Sequence, residues 1–102
     1  MKMTLTTELE LYTNDGGCIT LDALNHNFLV MYNDPAGKGL ASASDISLGD
    51  LYMDLACGEV YSIIVSDIEV SDDDGDPIGQ RDIVVYASAI TSIFATSDRV
   101  AV

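Results

Sequence analysis

A chain of 102 residues with seventeen acidic and four basic side chains, a net charge of -13 and 48% hydrophobic residues is long enough for one folded domain and too apolar for a disordered acidic tail. Two lysines and two arginines cannot build the basic patch that direct nucleic-acid binding needs, and an anionic membrane would meet like charge. No stretch approaches the ~18 apolar residues of a membrane span, the first five residues have no apolar leader core, and Cys18 and Cys57 alone make no disulfide framework, so the expected setting is the reducing cytoplasm.

Residues 3 to 12 alternate, with Met3, Leu5, Thr7, Leu9 and Leu11 on one face and Thr4, Thr6, Glu8, Glu10 and Tyr12 on the other. This is the pattern of a half-buried strand. Asn14-Asp15-Gly16-Gly17 follows as a hairpin turn, because these residues tolerate positive φ. Cys18 to Ala23 continues as a second strand with Ile19 and Leu21 inward. Residues 20 to 32 also fit a helical stripe, but the compact run Phe28-Leu29-Val30-Met31-Tyr32 favours a turn and a third strand. Asn33 to Ser44, with Asp34-Pro35 and Gly37-Lys38-Gly39, reads as a loop.

One helix is expected, Leu48 to Cys57. Ser47 caps it with Asp50 at the third helical position. Leu48, Leu51, Tyr52 and Leu55 form its apolar stripe, and Gly58 stops it. Glu59 to Val70 is a β-branched strand, Ser71 to Gly79 an acidic turn and Asp82 to Ser88 the returning strand. Ala89 to Ala95 fits strand or helix, and Arg99 to Val102 a short final strand. The expected fold is a single α+β domain over residues 1–102, mainly antiparallel sheet with one helix packed on it.

The densest chemical feature is Asp72-Asp73-Asp74-Gly75-Asp76. A calcium loop with Gly75 at its sixth position would put Val70 first and Arg81 twelfth, neither a suitable ligand. The run therefore reads as a solvated hairpin tip or as an acidic finger for Lys and Arg on a partner. Asp50 and Asp54, four apart on the helix, read as a paired carboxylate patch or a plain solvent face. Glu8, Glu10 and Tyr12 combine acid with an aromatic ring, as interfaces do.

Catalytic readings are weaker. His26, the only histidine, needs a nucleophile to serve as a general base. Cys57 sits where a helix dipole raises a thiol pKa, and Cys18 has no flanking base. Zinc lacks a Cys-x-x-Cys pair, and Gly37-Lys38-Gly39 lacks the rest of a phosphate loop. No cofactor, metal or catalytic residue is expected, and a small hydrolase using His26 with carboxylates is the least favoured reading.

The charge itself carries the functional expectation. Duplex DNA has one charge per roughly 1.7 Å of axis, so thirteen charges match about 22 Å of duplex. A domain of this length has a radius of gyration of about 13 Å. Acids gathered on one face would imitate a short duplex and block a basic, nucleic-acid-binding surface. In size and charge the chain resembles small phage proteins that inhibit CRISPR or restriction complexes, a likeness of composition without a motif. Spread evenly, as in a generic or saline-adapted acidic domain, the same charge would only keep the protein soluble. Mutual repulsion should also raise the average carboxylate pKa on folding and make stability rise with salt.

Overall fold

The alternating N-terminal segment is the centre of one of two antiparallel sheets. A computed structural model, which describes residues 2–22, 27–34 and 39–101, contains β1 (Lys2–Thr13), β2 (Cys18–Asp22), β3 (Asn27–Tyr32), β4 (Leu40–Ser42), α1 (Leu48–Ala56), β5 (Val60–Ser71), β6 (Pro77–Tyr86) and β7 (Ile90–Ala101), with a 3-10 turn at Ala87–Ala89. The sheets have the orders β2-β1-β7 and β4-β3-β5-β6. The α+β class holds, with the strands divided between two sheets rather than gathered in one. Ala23, Gly37, Lys38 and His26 lie outside the described residues.

Four sequence expectations change. The acidic turn expected over Ser71 to Gly79 is shorter, because β5 runs to Ser71 and β6 already starts at Pro77, and the returning strand ends at Tyr86 rather than Ser88. The segments expected at 89–95 and from Arg99 are not separate pieces: Ala89 closes the 3-10 turn, and residues 90–101 form the single strand β7, paired along β1. A short strand, β4, interrupts the segment expected to be a loop, where Val30 pairs with Ala41. The alternation of β1 does not run unbroken, because Thr6 pairs with Ser97 while Glu8 pairs with Thr96, which leaves Thr7 as a bulge. A bulge reverses the phase of a strand's faces. Leu9 and Leu11 stay fully buried, whereas Leu5, ahead of the bulge, is 47% exposed, and the Thr6 hydroxyl approaches Gly49 of the helix.

The core lies between the inner faces of the sheets and the helix. Leu9, Leu11 and Leu21 come from the first sheet, Phe28, Val30, Tyr32, Val60, Ile63 and Val65 from the second, and Leu48 and Leu51 from α1. The helix starts and stops as its sequence directs. Ser47 Oγ accepts the Asp50 N–H at 3.1 Å. At the other end, Gly58 at φ 76° donates to Leu55 O and Glu59 to Asp54 O, the paired bonds of a glycine-terminated helix. Between them these bonds satisfy backbone groups that helix ends leave open. No helix among the described residues is long and apolar enough to cross a membrane.

The outer half of the β5–β6 hairpin reaches beyond this core. Every residue from Ser71 to Asp82 is exposed. The radius of gyration is 14.6 Å, above the roughly 13 Å of a compact domain of this length.

Candidate functional site

Strand register assembles an acidic face on the outside of the first sheet. Side chains alternate across a sheet, so residues paired with one another share a face. With Leu9, Leu11 and Leu21 buried, their neighbours Glu8, Glu10 and Tyr12 of β1 face outward with Asp22, Thr20 and Cys18, their partners on β2. On the other side Glu10 pairs with Phe94, and Leu5 with Asp98. Glu8, Glu10, Asp22 and Asp98 therefore share a surface with Tyr12 and Phe94. The two rings meet edge to face at 5.4 Å, and the Tyr12 hydroxyl donates to Glu10 Oε2 at 2.9 Å. Of this face the sequence indicated Glu8, Glu10 and Tyr12. Asp22, Phe94 and Asp98 join through pairing, which one strand's pattern does not reveal.

The second acidic surface is the β5–β6 hairpin end. Asp72 turns inward on the loop: its Oδ1 accepts the N–H groups of Asp74 at 3.0 Å and Asp76 at 2.9 Å. Gly75 takes φ 87°, a conformation that suits glycine. Asp73, Asp74 and Asp76 are left exposed at the end. Asp72 thus holds the turn, while the other three supply charge outward. Among the described residues no group of three or more His, Cys, Asp or Glu side chains is arranged to hold a metal ion.

The helix pair does not form the patch expected of it. Asp50 is exposed, but Asp54 is only 8% exposed and accepts the Tyr32 hydroxyl at 2.7 Å. The reason is angular. Leu48, Leu51 and Asp54 follow at i, i+3 and i+6, so Asp54 extends the buried stripe rather than the solvent face. A buried carboxylate requires hydrogen bonds, and Tyr32 supplies one. Among the described residues no buried side-chain nitrogen or oxygen lacks a partner.

The sequence reading missed the outer face of the second sheet. Leu40, Met31, Ser62 and Tyr86 lie in one row, and Ser42, Leu29, Ile64 and Val84 in the next. Neither row contains a charge. Met31, Leu40, Val84, Tyr86 and the bulge residue Tyr61 are between 37% and 56% exposed, and Tyr61 and Tyr86 meet edge to face at 5.7 Å. The signal was present in Phe28–Tyr32, Ile63–Val65 and Ile83–Tyr86. These runs are apolar without alternation, the pattern of strands covered on both faces.

Electrostatics around the tyrosines and two turn acids are local in origin. The Glu10 carboxylate, with the Cys18 thiol beside it, pushes the Tyr12 hydroxyl up to about 12. Burial, then the bond to Asp54, pushes Tyr32 up as well. Two turn carboxylates move opposite to the expected average: Thr13 and Gly17 hold Asp15 below its usual range, and Ser42 does the same for Asp45. A folded-state tyrosine pKa above the unfolded value means the native state keeps its proton longer. The resulting stability is complete below pH ~10 and is lost as pH rises through the folded value. A spectrophotometric pH titration of Tyr12→Phe and Tyr32→Phe should lose ionisation amplitude above pH ~10 in each case. Loss only near the ordinary tyrosine value would contradict both bonds. Asp15 and Asp45 act at the opposite end, their contribution vanishing as pH falls below ~4.

Comparison of the chain with family models, curated proteins and solved structures finds no match.

Proposed function

We propose that this chain is a non-enzymatic acidic binding protein that occupies and blocks the basic, nucleic-acid-binding surface of a partner protein in the cytoplasm. The observation that carries the reading is the gathering of Glu8, Glu10, Asp22 and Asp98 with Tyr12 and Phe94 on one sheet face. Carboxylates attract Lys and Arg over a distance and fix orientation, and rings beside them supply the desolvated contacts that interfaces concentrate. The exposed Asp73, Asp74 and Asp76 extend the same charge on a projecting hairpin. In its narrowest form the protein is a duplex mimic of the kind its composition resembles, a phage inhibitor of a CRISPR or restriction complex. A second reading, a general interaction domain whose charge serves solubility, is favoured by the uncharged, exposed face of the second sheet. Apolar patches of that kind mark protein contacts.

Immobilised protein incubated with a cell lysate separates the two. On the first reading, the captured proteins are nucleic-acid binders. They are released by a short DNA duplex and by about 0.5 M salt, which screens charge beyond a few ångströms, and Glu8→Gln/Glu10→Gln/Asp22→Asn captures little. Capture that survives both competitors and disappears in Val84→Asp assigns the working surface to the second sheet.

A further inference from the structure

We infer that two copies of this chain pack together through the outer faces of their second sheets, forming a two-fold dimer. The dimer is independent of the function proposed above. The core lies between the two sheets, so their outer faces point away from each other, and pairing through the second sheet leaves the Glu8 and Glu10 face of each copy open.

Two observations select a second copy as the occupant. The first is charge. A two-fold contact sets one face against itself, so that face must be complementary to its own copy. In a chain of net charge -13, a surface rich in carboxylates fails this condition because like charge meets like. Among the described residues, the first sheet carries Glu8, Glu10, Asp22 and Asp98, and Asp50 and the hairpin acids are exposed elsewhere. The rows Leu40-Met31-Ser62-Tyr86 and Ser42-Leu29-Ile64-Val84 carry no charge. Asp82, two residues before Val84 on β6, stands beyond these rows with its Oδ1 on the Asp67 N–H, at the rim, where interfaces are polar. A basic partner is drawn to carboxylates, and these rows offer it none.

The second observation is area. Tyr61, Tyr86, Val84 and Leu40 are 48% to 56% exposed, and Met31 is 37% exposed. At about 200 Å² for a large side chain, these five leave roughly 450 Å² open. An interface of ordinary size buries about 800 Å² per copy, and in homodimers about 65% of that, or about 500 Å², is apolar. The exposed side chains therefore supply the apolar part of a dimer interface. Tyr61 and Tyr86, packed edge to face, are of the residue type that interfaces enrich. Sheets stacked this way lie about 10 Å apart. The second copy also covers the side that the core does not, which suits strands whose apolar runs lack alternation.

Sedimentation velocity over a concentration series, at low and moderate salt, tests the dimer. The screening length falls from about 30 Å at 0.01 M to about 8 Å at 0.15 M, from above to below the 24 Å shortest dimension of the molecule. Repulsion between the copies fades, and dimerisation should tighten about a hundredfold or more, whereas salt weakens binding to a basic partner. Val84→Asp brings a carboxylate from each copy to the contact and should weaken it about a hundredfold. Val84→Thr keeps the β-branched shape that suits a strand and should weaken it about tenfold, for one methyl group lost per copy. Glu8→Gln/Glu10→Gln, on the other side, should not weaken it. Nitrogen-15 spectra of concentrated against dilute protein should show shifts at Leu29, Met31, Ile64 and Val84 and spare Glu8 and Glu10. A chain that stays monomeric at every concentration and salt overturns the inference. So does association that weakens with salt, or shifts confined to β6 that spare β3, the result of edge-to-edge pairing. A monomer that captures a different protein through Val84 overturns the second copy as occupant. A salt-strengthened dimer that captures no basic protein upholds this inference and overturns the proposed function.

Discussion

Leu51→Ala is expected to lower the free energy of unfolding by about 3 kcal/mol, the middle of the range for a leucine truncated in a packed core. For a domain of this size that shifts the melting midpoint down by about 15 °C. Leu51 is fully buried and belongs to the cluster that joins α1 to both sheets. Truncation removes its transfer free energy and leaves a void that the strands around it cannot close without moving their hydrogen-bonded ladders. Met53, two residues along the same helix, is 58% exposed. Met53→Ala makes a comparable change in side-chain size and helix propensity at the surface, where substitutions usually stay within about 0.5 kcal/mol. The difference between the two variants in urea or thermal denaturation therefore isolates packing from helix formation. A loss below about 1 kcal/mol for Leu51→Ala would mean that the sheets hold together without the helix.

Local signals in this chain were legible where a single element carries them. Ser47, Asp50 and Gly58 mark the helix because capping and the left-handed stop depend on residues in sequence contact. The Asn14–Gly17 turn is equally local: Thr13 N–H reaches Gly17 O at 3.0 Å and Gly16 takes φ 88°. Bulges were not legible. Thr91 is an extra residue in β7, since Tyr12 pairs with Ser92 and Thr13 with Ile90. It brings Ile90 and Ile93, three apart, against the same core. That spacing imitates a helix, which is why residues 89–95 read both ways. Val65 and Ile68 stand in the same relation across the irregularity at Ser66 and Asp67, where Asp67 takes φ 61°. Asp54 illustrates a different limit. Its burial depends on Tyr32, twenty-two residues away, and no pattern within the helix announces that partner. The acidic face falls between these cases: half of it follows from the alternation of β1, and the rest from which strands lie beside it.

Neutralising that face should move stability and binding in opposite directions. With Glu8 and Glu10 changed to Gln and Asp22 and Asp98 to Asn, four of the chain's seventeen acidic charges are removed from one face, and the melting midpoint should rise by about 2 °C at low salt as the self-repulsion of a -13 chain falls. The unaltered protein should itself melt higher in moderate salt than in low salt, because screening over about 8 Å weakens repulsion among its acids. The variant should respond less, having fewer acids to screen. Binding to a basic partner should weaken at the same time. Long-range attraction can raise association from the 10⁵–10⁶ M⁻¹s⁻¹ of neutral surfaces to about 10⁸ M⁻¹s⁻¹ at low salt, so loss of four charges should slow association about tenfold or more. Dissociation changes less where the carboxylates lie at a solvated rim, and more where a partner arginine buries them. The matching comparison neutralises Asp73, Asp74 and Asp76 and keeps Asp72, because Asp72 Oδ1 holds two backbone N–H groups of the hairpin turn and its removal would disturb the loop as well as the charge. If the sheet face is the recognition surface, its variant loses more binding than the hairpin variant. If charge serves only solubility, both variants gain stability and neither loses its partner, because a contact made by the uncharged rows of the second sheet does not depend on acids on the first.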